Sequence, residues 1–167
     1  MKMIHPTATI DKNVKIGANT KIWHYTHIME NITVGSNVII GQNCFIATDI
    51  PNWCKIQNNV SVYKGVELSE GVFLGPSCVF TNVLAPRAFI EKKSEFKKTF
   101  IGNGATIGAG AILVCGITIG EYAFIGAGAV VIRDVAPFSL MVGNPAKRIG
   151  RVDKEGNTIS FEIPIFG

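Results

Sequence analysis

One spacing constrains this chain more than any other feature. Stepping by six from Ile4 gives Ile10, Ile16, Ile22, Ile28, Val34, Ile40 and Ile46, a β-branched aliphatic at every step. Four places after each of them stands an apolar or small residue: Ala8, Val14, Thr20, Thr26, Ile32, Val38, Cys44 and Ile50. A helix needs apolar positions that drift at 3.6, whereas six is a multiple of the strand period of two. The register slips in "IATDIPNWCKIQ", where Ile46 to Ile56 is ten positions instead of twelve. It resumes at Ile56, Val62, Leu68, Leu74 and Phe80, breaks again, and restarts at Ile101, Ile107, Leu113, Ile119, Ile125 and Val131.

Short strands that each turn after an aliphatic and a small residue predict an all-β fold, a parallel β-helix of hexapeptide repeats with three hexads per triangular coil. About nineteen hexads predict about six coils, stacked ~4.8 Å apart. Gly17, Gly35, Gly41, Gly75, Gly102, Gly108, Gly120 and Gly126 follow the aliphatic, where a turning chain leaves no room for a side chain. The expected organisation is a β-helix over 1–136 with a loop protruding at about 83–100, then a cap and tail over 137–167. That cap is expected to be turn-rich or helical before a terminal strand, covering an end that a β-helix leaves open. Outward positions include Trp23, Phe45, Tyr63, Phe73 and Phe124, more aromatic surface than a monomer needs.

Composition narrows the function classes. With 167 residues, 47% of them hydrophobic, the chain can bury one good core. A net charge of +4 suits a small anionic ligand and is too weak to argue for nucleic acid. No apolar run approaches the roughly 18 residues of a membrane span, and the opening "MKMIHPTATIDKNVKIG" has no signal-peptide pattern, so a cytoplasmic protein is expected. Cys44, Cys54, Cys78 and Cys115 lack CxxC spacing and read as reduced thiols. His5, His24 and His27 are the only histidines, and a three-histidine zinc site of the required spacing is absent, so no metal is expected.

Functional residues in a repeat protein gather where the repeat is interrupted. The largest interruption, "VLAPRAFIEKKSEFKKTF", follows Asn82, with Pro86 and Arg87 on the way out. By counting, His24 is followed one coil later by Gln42 and then by Asn58, with Asn43 and Asn59 beside them. One reading of such a column is a hydrogen-bonded ladder that satisfies turn backbones. The density of Gln42, Asn43, Gln57, Asn58, Asn59 and Tyr63 within two coils of Asn82 instead suits a sugar or nucleotide, which needs many directional hydrogen bonds.

Three segments, "KIWHYTHIMENITVGSNVIIGQNCFIA", "KIQNNVSVYKGVELSEGVFLGPSCVFTNVLAPR" and "GATIGAGAILVCGITIGEYAFIGAGAVVIRDV...GNPAKRIG", together resemble the bacterial nucleotide-sugar 3-N-acetyltransferases. The resemblance implies a left-handed β-helix, a homotrimer with sites between subunits, and acetyl-CoA as cosubstrate. It implies acetylation of the 3-amino group of a UDP- or dTDP-linked amino sugar for surface polysaccharide assembly. The slip near Ile50 and a tail without tryptophan after "RIG" depart from the family's pattern.

Acetyl transfer to an amine needs a neutral amine, a held geometry and a donor for the developing oxyanion. The resemblance assigns no histidine base: Asn82 orients the amine through its side-chain carbonyl, and the proton leaves through the substrate. An amine with a pKa near 8 is about a tenth neutral at pH 7, a cost of roughly 1.4 kcal/mol. A general base contributes about 100-fold or more, so positioning can replace it. The expected roles are Asn82 as orienting residue, with His24 as the fallback base for another small acceptor. Gln42, Asn43, Gln57, Asn58, Asn59, Tyr63, Lys64 and Arg87 are expected to bind the substrate. Small residues Ala109, Gly126 and Ala127 would let a pantetheine arm approach, and Arg133, Lys147 and Arg148 would meet CoA phosphates. Cys115 reads as a packed thiol. A carboxylate-bearing UDP-3-amino-glucuronate would favour Arg87 or Lys64 nearby; a dTDP-3-amino-3,6-dideoxyhexose would not need them. A non-catalytic, structural β-helix is the remaining alternative.

Overall fold

The computed structural model describes residues 2–162. Each aliphatic of the hexad series ends a two- or three-residue strand that pairs in parallel with the equivalent strand of an adjacent coil. Face one stacks Ile4, Ile22, Ile40, Ile56, Leu74, Ile107, Ile125 and Met141. Face two stacks Ile10, Ile28, Ile46 and Val62, then Phe80, Leu113 and Val131. Face three carries Ile16, Val34 and Ile50, then Leu68, Ile101, Ile119 and Val135. Nearly all of these side chains from Ile22 onward are fully buried and form one continuous core. Burying each of them contributes about 1.5–3 kcal/mol.

This is seven complete coils and the first rung of an eighth, where the spacing predicted about six. The miscount has a physical source. Two hexads are cut to four residues, Ile46 to Ile50 and Val131 to Val135, so the third-face residues Ile50 and Val135 fall off the six-residue count. In a full corner the outgoing main-chain N–H of one coil meets a carbonyl of the next, as Lys15 does with Ile32 at 2.9 Å. In a shortened corner an aspartate replaces that carbonyl: Asp49 Oδ1 accepts from Thr33 N–H at 2.7 Å and Asp134 Oδ1 from Thr118 N–H at 2.8 Å.

Most full corners place one residue in the left-handed backbone region. In the N-terminal coils this residue is mostly asparagine, with φ between 55° and 62° at Asn13, Asn19, Asn31, Asn37, Asn43 and Asn59. Asparagine tolerates that region, and its amide also bonds the next coil, as Asn13 Nδ2 does with Asn31 Oδ1 at 3.1 Å. From Gly71 upward the same place is mostly glycine. The glycines after the aliphatics answer a different need: a Cβ at Gly75 would lie 2.6 Å from Ala109 N, inside the next coil's backbone.

The chain leaves the solenoid after Asn82 and returns at Thr99, with Lys97 N–H donating to the Asn82 carbonyl at 2.9 Å across the base of the loop. The excursion therefore spans 83–98. Thr99 and Phe100, read from the sequence as its end, pair with Val66 and Glu67 as strand. The C-terminal segment is likewise strand where a turn-rich or helical cap was expected. Ser139–Val142 adds to face one in parallel, and Lys147–Val152 and Thr158–Phe161 follow antiparallel. A hairpin satisfies the N–H and C=O groups of the last rung, which a helix cannot pair. Residues 163–167 of the expected cap lie outside the described residues.

Candidate active site

Two corners flank face two, and they carry different chemistry. Corner two holds Asn82, Tyr63 one coil below it, Lys64 and the base of the loop. Asn82 is half-buried, its backbone is pinned by Lys97, and its side-chain amide has no hydrogen bond among the described residues. A fixed backbone with a free amide is what orienting an incoming group requires. A cavity of about 490 Å³ opens at this corner, lined by Thr48, Lys64, Glu67, Lys93, Phe96 and Lys98. The shortened hexad around Thr48 and Asp49 lies one coil beneath Lys64 and makes the recess. Lys98 Nζ sits 2.9 Å from Glu67 Oε1, while Lys64 has no ion-pair partner among the described residues. Arg87 is exposed on the loop and donates to its neighbour Pro86's carbonyl at 2.9 Å.

Corner one holds the amide column. His24, Gln42 and Asn58 stack coil on coil: Asn43 N–H donates to the His24 carbonyl at 3.0 Å and Asn59 N–H to that of Gln42 at 2.9 Å. They border a cavity of about 330 Å³ with Trp23, Gly41 and Gln57. Part of the column serves the scaffold. Asn58 Oδ1 accepts from Gln42 N–H at 3.0 Å, and Asn43 Nδ2 donates to Asn59 Oδ1 at 3.3 Å. The side-chain amides of Gln42 and Gln57 make no hydrogen bond among the described residues and remain available to a ligand.

His24 stacks on His5, ring centroids 3.5 Å apart, and has no carboxylate partner to orient its imidazole. The pairing that a base needs occurs elsewhere: His27 Nε2 stands 3.0 Å from Asp11 Oδ2 on face two. Sequence reasoning missed this dyad. Its members are sixteen residues apart, two short of a full coil, so they meet on a diagonal that stepping by whole coils does not visit.

Higher on corner one the surface is bare. Ala109, Gly126 and Ala127 belong to this stretch, and a Cβ added at its glycines Gly110 or Gly128 would meet nothing within 4 Å. Lys147 is exposed nearby, where Ala146 N–H holds the Val130 carbonyl at 2.8 Å. Arg133 projects from corner two instead. Arg148 is engaged by the tail, its Nη2 lying 2.5 Å from Glu162 Oε1.

The expectation that the amides collect around Asn82 therefore holds in coil number and fails in corner. Gln42, Asn43, Gln57, Asn58 and Asn59 begin face two, whereas Tyr63, Lys64 and Asn82 end it. A hexad at about 3.3 Å per residue separates the corners by roughly 15–20 Å. Arg133 is parted from Ala109 and Ala127 in the same way. All four cysteines are buried. Burial pushes the Cys54 thiol up to about 11 and the Cys78 thiol up to about 12, so neither is a ready nucleophile. Among the described residues no three of His, Cys, Asp and Glu gather closely enough to hold a metal ion, and no helix is long and apolar enough to cross a membrane.

Comparison with known proteins agrees with this architecture. Residues 13–48 and 98–133 match the family described as bacterial transferase hexapeptide (six repeats). The dTDP-3-amino-3,6-dideoxy-alpha-D-galactopyranose 3-N-acetyltransferase of Aneurinibacillus thermoaerophilus is 43% identical over 58 residues, 35% of this chain and 30% of that protein. A chloramphenicol acetyltransferase of Agrobacterium fabrum is 43% identical over 70 residues, 41% of this chain and 34% of its own. The chain thus spans about a third of the length of either relative. Among solved structures, PerB from Caulobacter crescentus in complex with CoA and GDP-perosamine superposes with a TM-score of 0.53 at 25% identity, covering 89% of this chain and 57% of that one. The chain is an all-β solenoid of hexapeptide repeats, and two blocks of it are similar to the bacterial transferase hexapeptide family.

Proposed function

We propose that this protein is an acetyl-CoA-dependent N-acetyltransferase acting on the 3-amino group of a nucleotide-linked 3-amino sugar, of the dTDP-3-amino-3,6-dideoxyhexose or UDP-3-amino-glucuronate type, in the cytoplasmic assembly of a surface polysaccharide. The observation that carries the reading is the division of the candidate residues between two corners of one face. Neither corner encloses a ligand, so corner one of one copy must meet corner two of another, as in a homotrimer. Face two supplies the means: outward Val79 and Ile112 are 45% and 36% exposed, and Leu84 and Phe89 on the loop are 62% and 85% exposed. Apolar surface of that extent favours association.

In this arrangement the pantetheine arm lies along the bare edge of Ala109, Gly126 and Ala127, with Lys147 toward the phosphates and Arg133 contributed by the neighbouring copy. Gln42, Gln57 and Tyr63 bond the nucleotide sugar. Asn82 accepts a hydrogen bond from the amine and aims its lone pair at the thioester carbonyl. The N–C bond forms, the C–S bond breaks, and the CoA sulfur leaves as the ammonium proton passes to the substrate's own acceptor groups. Two named relatives act on or bind nucleotide-linked amino sugars, which supports this acceptor class.

The Asp11–His27 pair favours a second reading, transfer to a hydroxyl acceptor, whose higher pKa demands a base. A thiol-release assay with acetyl-CoA against a panel of UDP- and dTDP-3-amino sugars and simple alcohols tests both. Thiol release with a 3-amino sugar alone is expected. Rates equal to the no-acceptor blank throughout would sink both readings, and release with alcohols alone would replace the first by the second.

A further inference from the structure

Corner three faces away from both functional corners and carries a feature that acetyl transfer does not use. Its left-handed positions, in ascending order, are Asn19, Asn37, Trp53, Gly71, Gly104, Tyr122 and Phe138, with φ between 52° and 68°. They form one ladder: Gly71 N–H donates to Asn52, Gly104 to Glu70, Tyr122 to Asn103 and Phe138 to Glu121, each through the carbonyl, at 2.8–3.0 Å. The upper two rings stack, centroids 5.3 Å apart and 17° from coplanar. Tyr122 lies over Gly104, since a Cβ built there would sit 2.5 Å from its Cε1. Trp53 is 63% exposed and has no ring partner among the described residues.

Between Trp53 and the Tyr122 ring the column is empty. A Cβ at Gly71 would meet nothing nearer than the Gly104 backbone at 3.8 Å. Three rungs at ~4.8 Å separate Trp53 from Tyr122, and the Tyr122 ring leaning over Gly104 narrows the opening to roughly 10 Å, room for a planar ring against an aromatic face. The cavity, about 470 Å³, is lined by Trp53, Glu70, Gly71, Asn103, Tyr122 and Lys154. Its polar groups have distinct chemistry. Glu70 presents a carboxylate, held at 2.8 Å by Asn52 Nδ2, and can only accept hydrogen bonds when ionised. Lys154 Nζ stands 5.3 Å from the Tyr122 centroid and offers a cation at the same mouth.

We infer that this notch is a second nucleotide site, taking a base with an exocyclic amine between Trp53 and Tyr122. The base completes the ring column, Glu70 accepts from its amine, and Lys154 meets the phosphate. A sugar ring would stack as well, but would give the cation no partner. The inference is independent of the acetyl-transfer reading, because its readout is binding.

The test is titration of the full chain, in a Trp23→Phe background that leaves Trp53 as the single tryptophan, selectively excited, with adenosine and uridine monophosphate. Saturable quenching by adenosine monophosphate is expected, at least about tenfold tighter than by uridine monophosphate. Gly71→Asn should weaken it at least about tenfold by filling the notch, as asparagine already does at Asn37. Its fold is checked by melting. Should that variant not fold, Lys154→Ala, on the exposed hairpin turn, should weaken nucleotide binding but not nucleoside binding, read by the same quenching. Glu70→Gln should remove the preference for the amine. No saturable quenching at millimolar nucleotide, quenching unchanged in a folded Gly71→Asn protein, or equal response to both nucleotides overturns the inference.

Discussion

Corners one and two are turned by the same hexad, yet they spend it differently. At corner one every coil makes the same turn, so each residue has a counterpart above and below, and much of its polarity goes into ladders such as Asn43–Asn59. At corner two the turn is cut back at Asp49, opened into a loop after Asn82, and cut back again at Asp134. The uninterrupted lower coils of this corner still pair Asn13 with Asn31, but a residue beside an interruption lacks that counterpart, and Asn82 and Lys64 keep their side chains free. Regular stacking consumes hydrogen-bonding capacity, and interruption releases it.

The sharpest way to break this contrast is a pair of substitutions. Asn82→Ala at corner two is expected to lower kcat about 100-fold with little change in KM, the scale of losing one group that acts in the transition state. His24→Ala at corner one is expected to raise KM about fivefold and keep kcat, as for one lost binding contact of about 1 kcal/mol. Steady-state kinetics with acetyl-CoA and the best acceptor from the panel decides. A His24→Ala enzyme that stays inactive at saturating substrate and high pH reverses the two assignments.

A smaller effect tests the shortened corners. Asp49→Ala or Asp134→Ala removes the acceptor for a main-chain N–H and is expected to cost about 1–2 kcal/mol. In a chain of this size that lowers the melting temperature by roughly 2–8 °C, read by calorimetry. An unchanged melt would mean that water serves the N–H as well as the carboxylate does.

The smallest effect concerns the dry interior behind the corners. A thiol whose folded pKa is raised contributes stability that is complete below its unfolded pKa, near 9, and is lost as pH rises toward about 11 for Cys54 and about 12 for Cys78. The melting temperature should therefore fall more steeply above pH 9 in the native protein than in a Cys54→Ala, Cys78→Ala double variant. Equal slopes would show that those thiols are not desolvated in the fold.

The solenoid was legible because its period is local. Ile22, Ile40 and Leu74 announce their face by spacing alone, since each coil repeats one steric problem with one solution. The coil count went wrong only at Ile50 and Val135, where a side-chain carboxylate stands in for two residues of backbone, a substitution invisible to periodicity. The strand at Ser139–Val142 was missed because what dictates it is the unpaired edge of Ile125's rung, not its own composition.

For the site, the sequence by itself supplied the residue types and coil heights of His24, Gln42, Asn58, Tyr63 and Asn82. Only the tertiary structure decided which corner each occupies, tied Arg148 to Glu162, joined Asp11 to His27, and opened the notch beside Trp53. The physical reason is that a hexad fixes height along the axis to within one rung. Direction around the axis depends on the summed lengths of every preceding corner, which a single two-residue deletion resets.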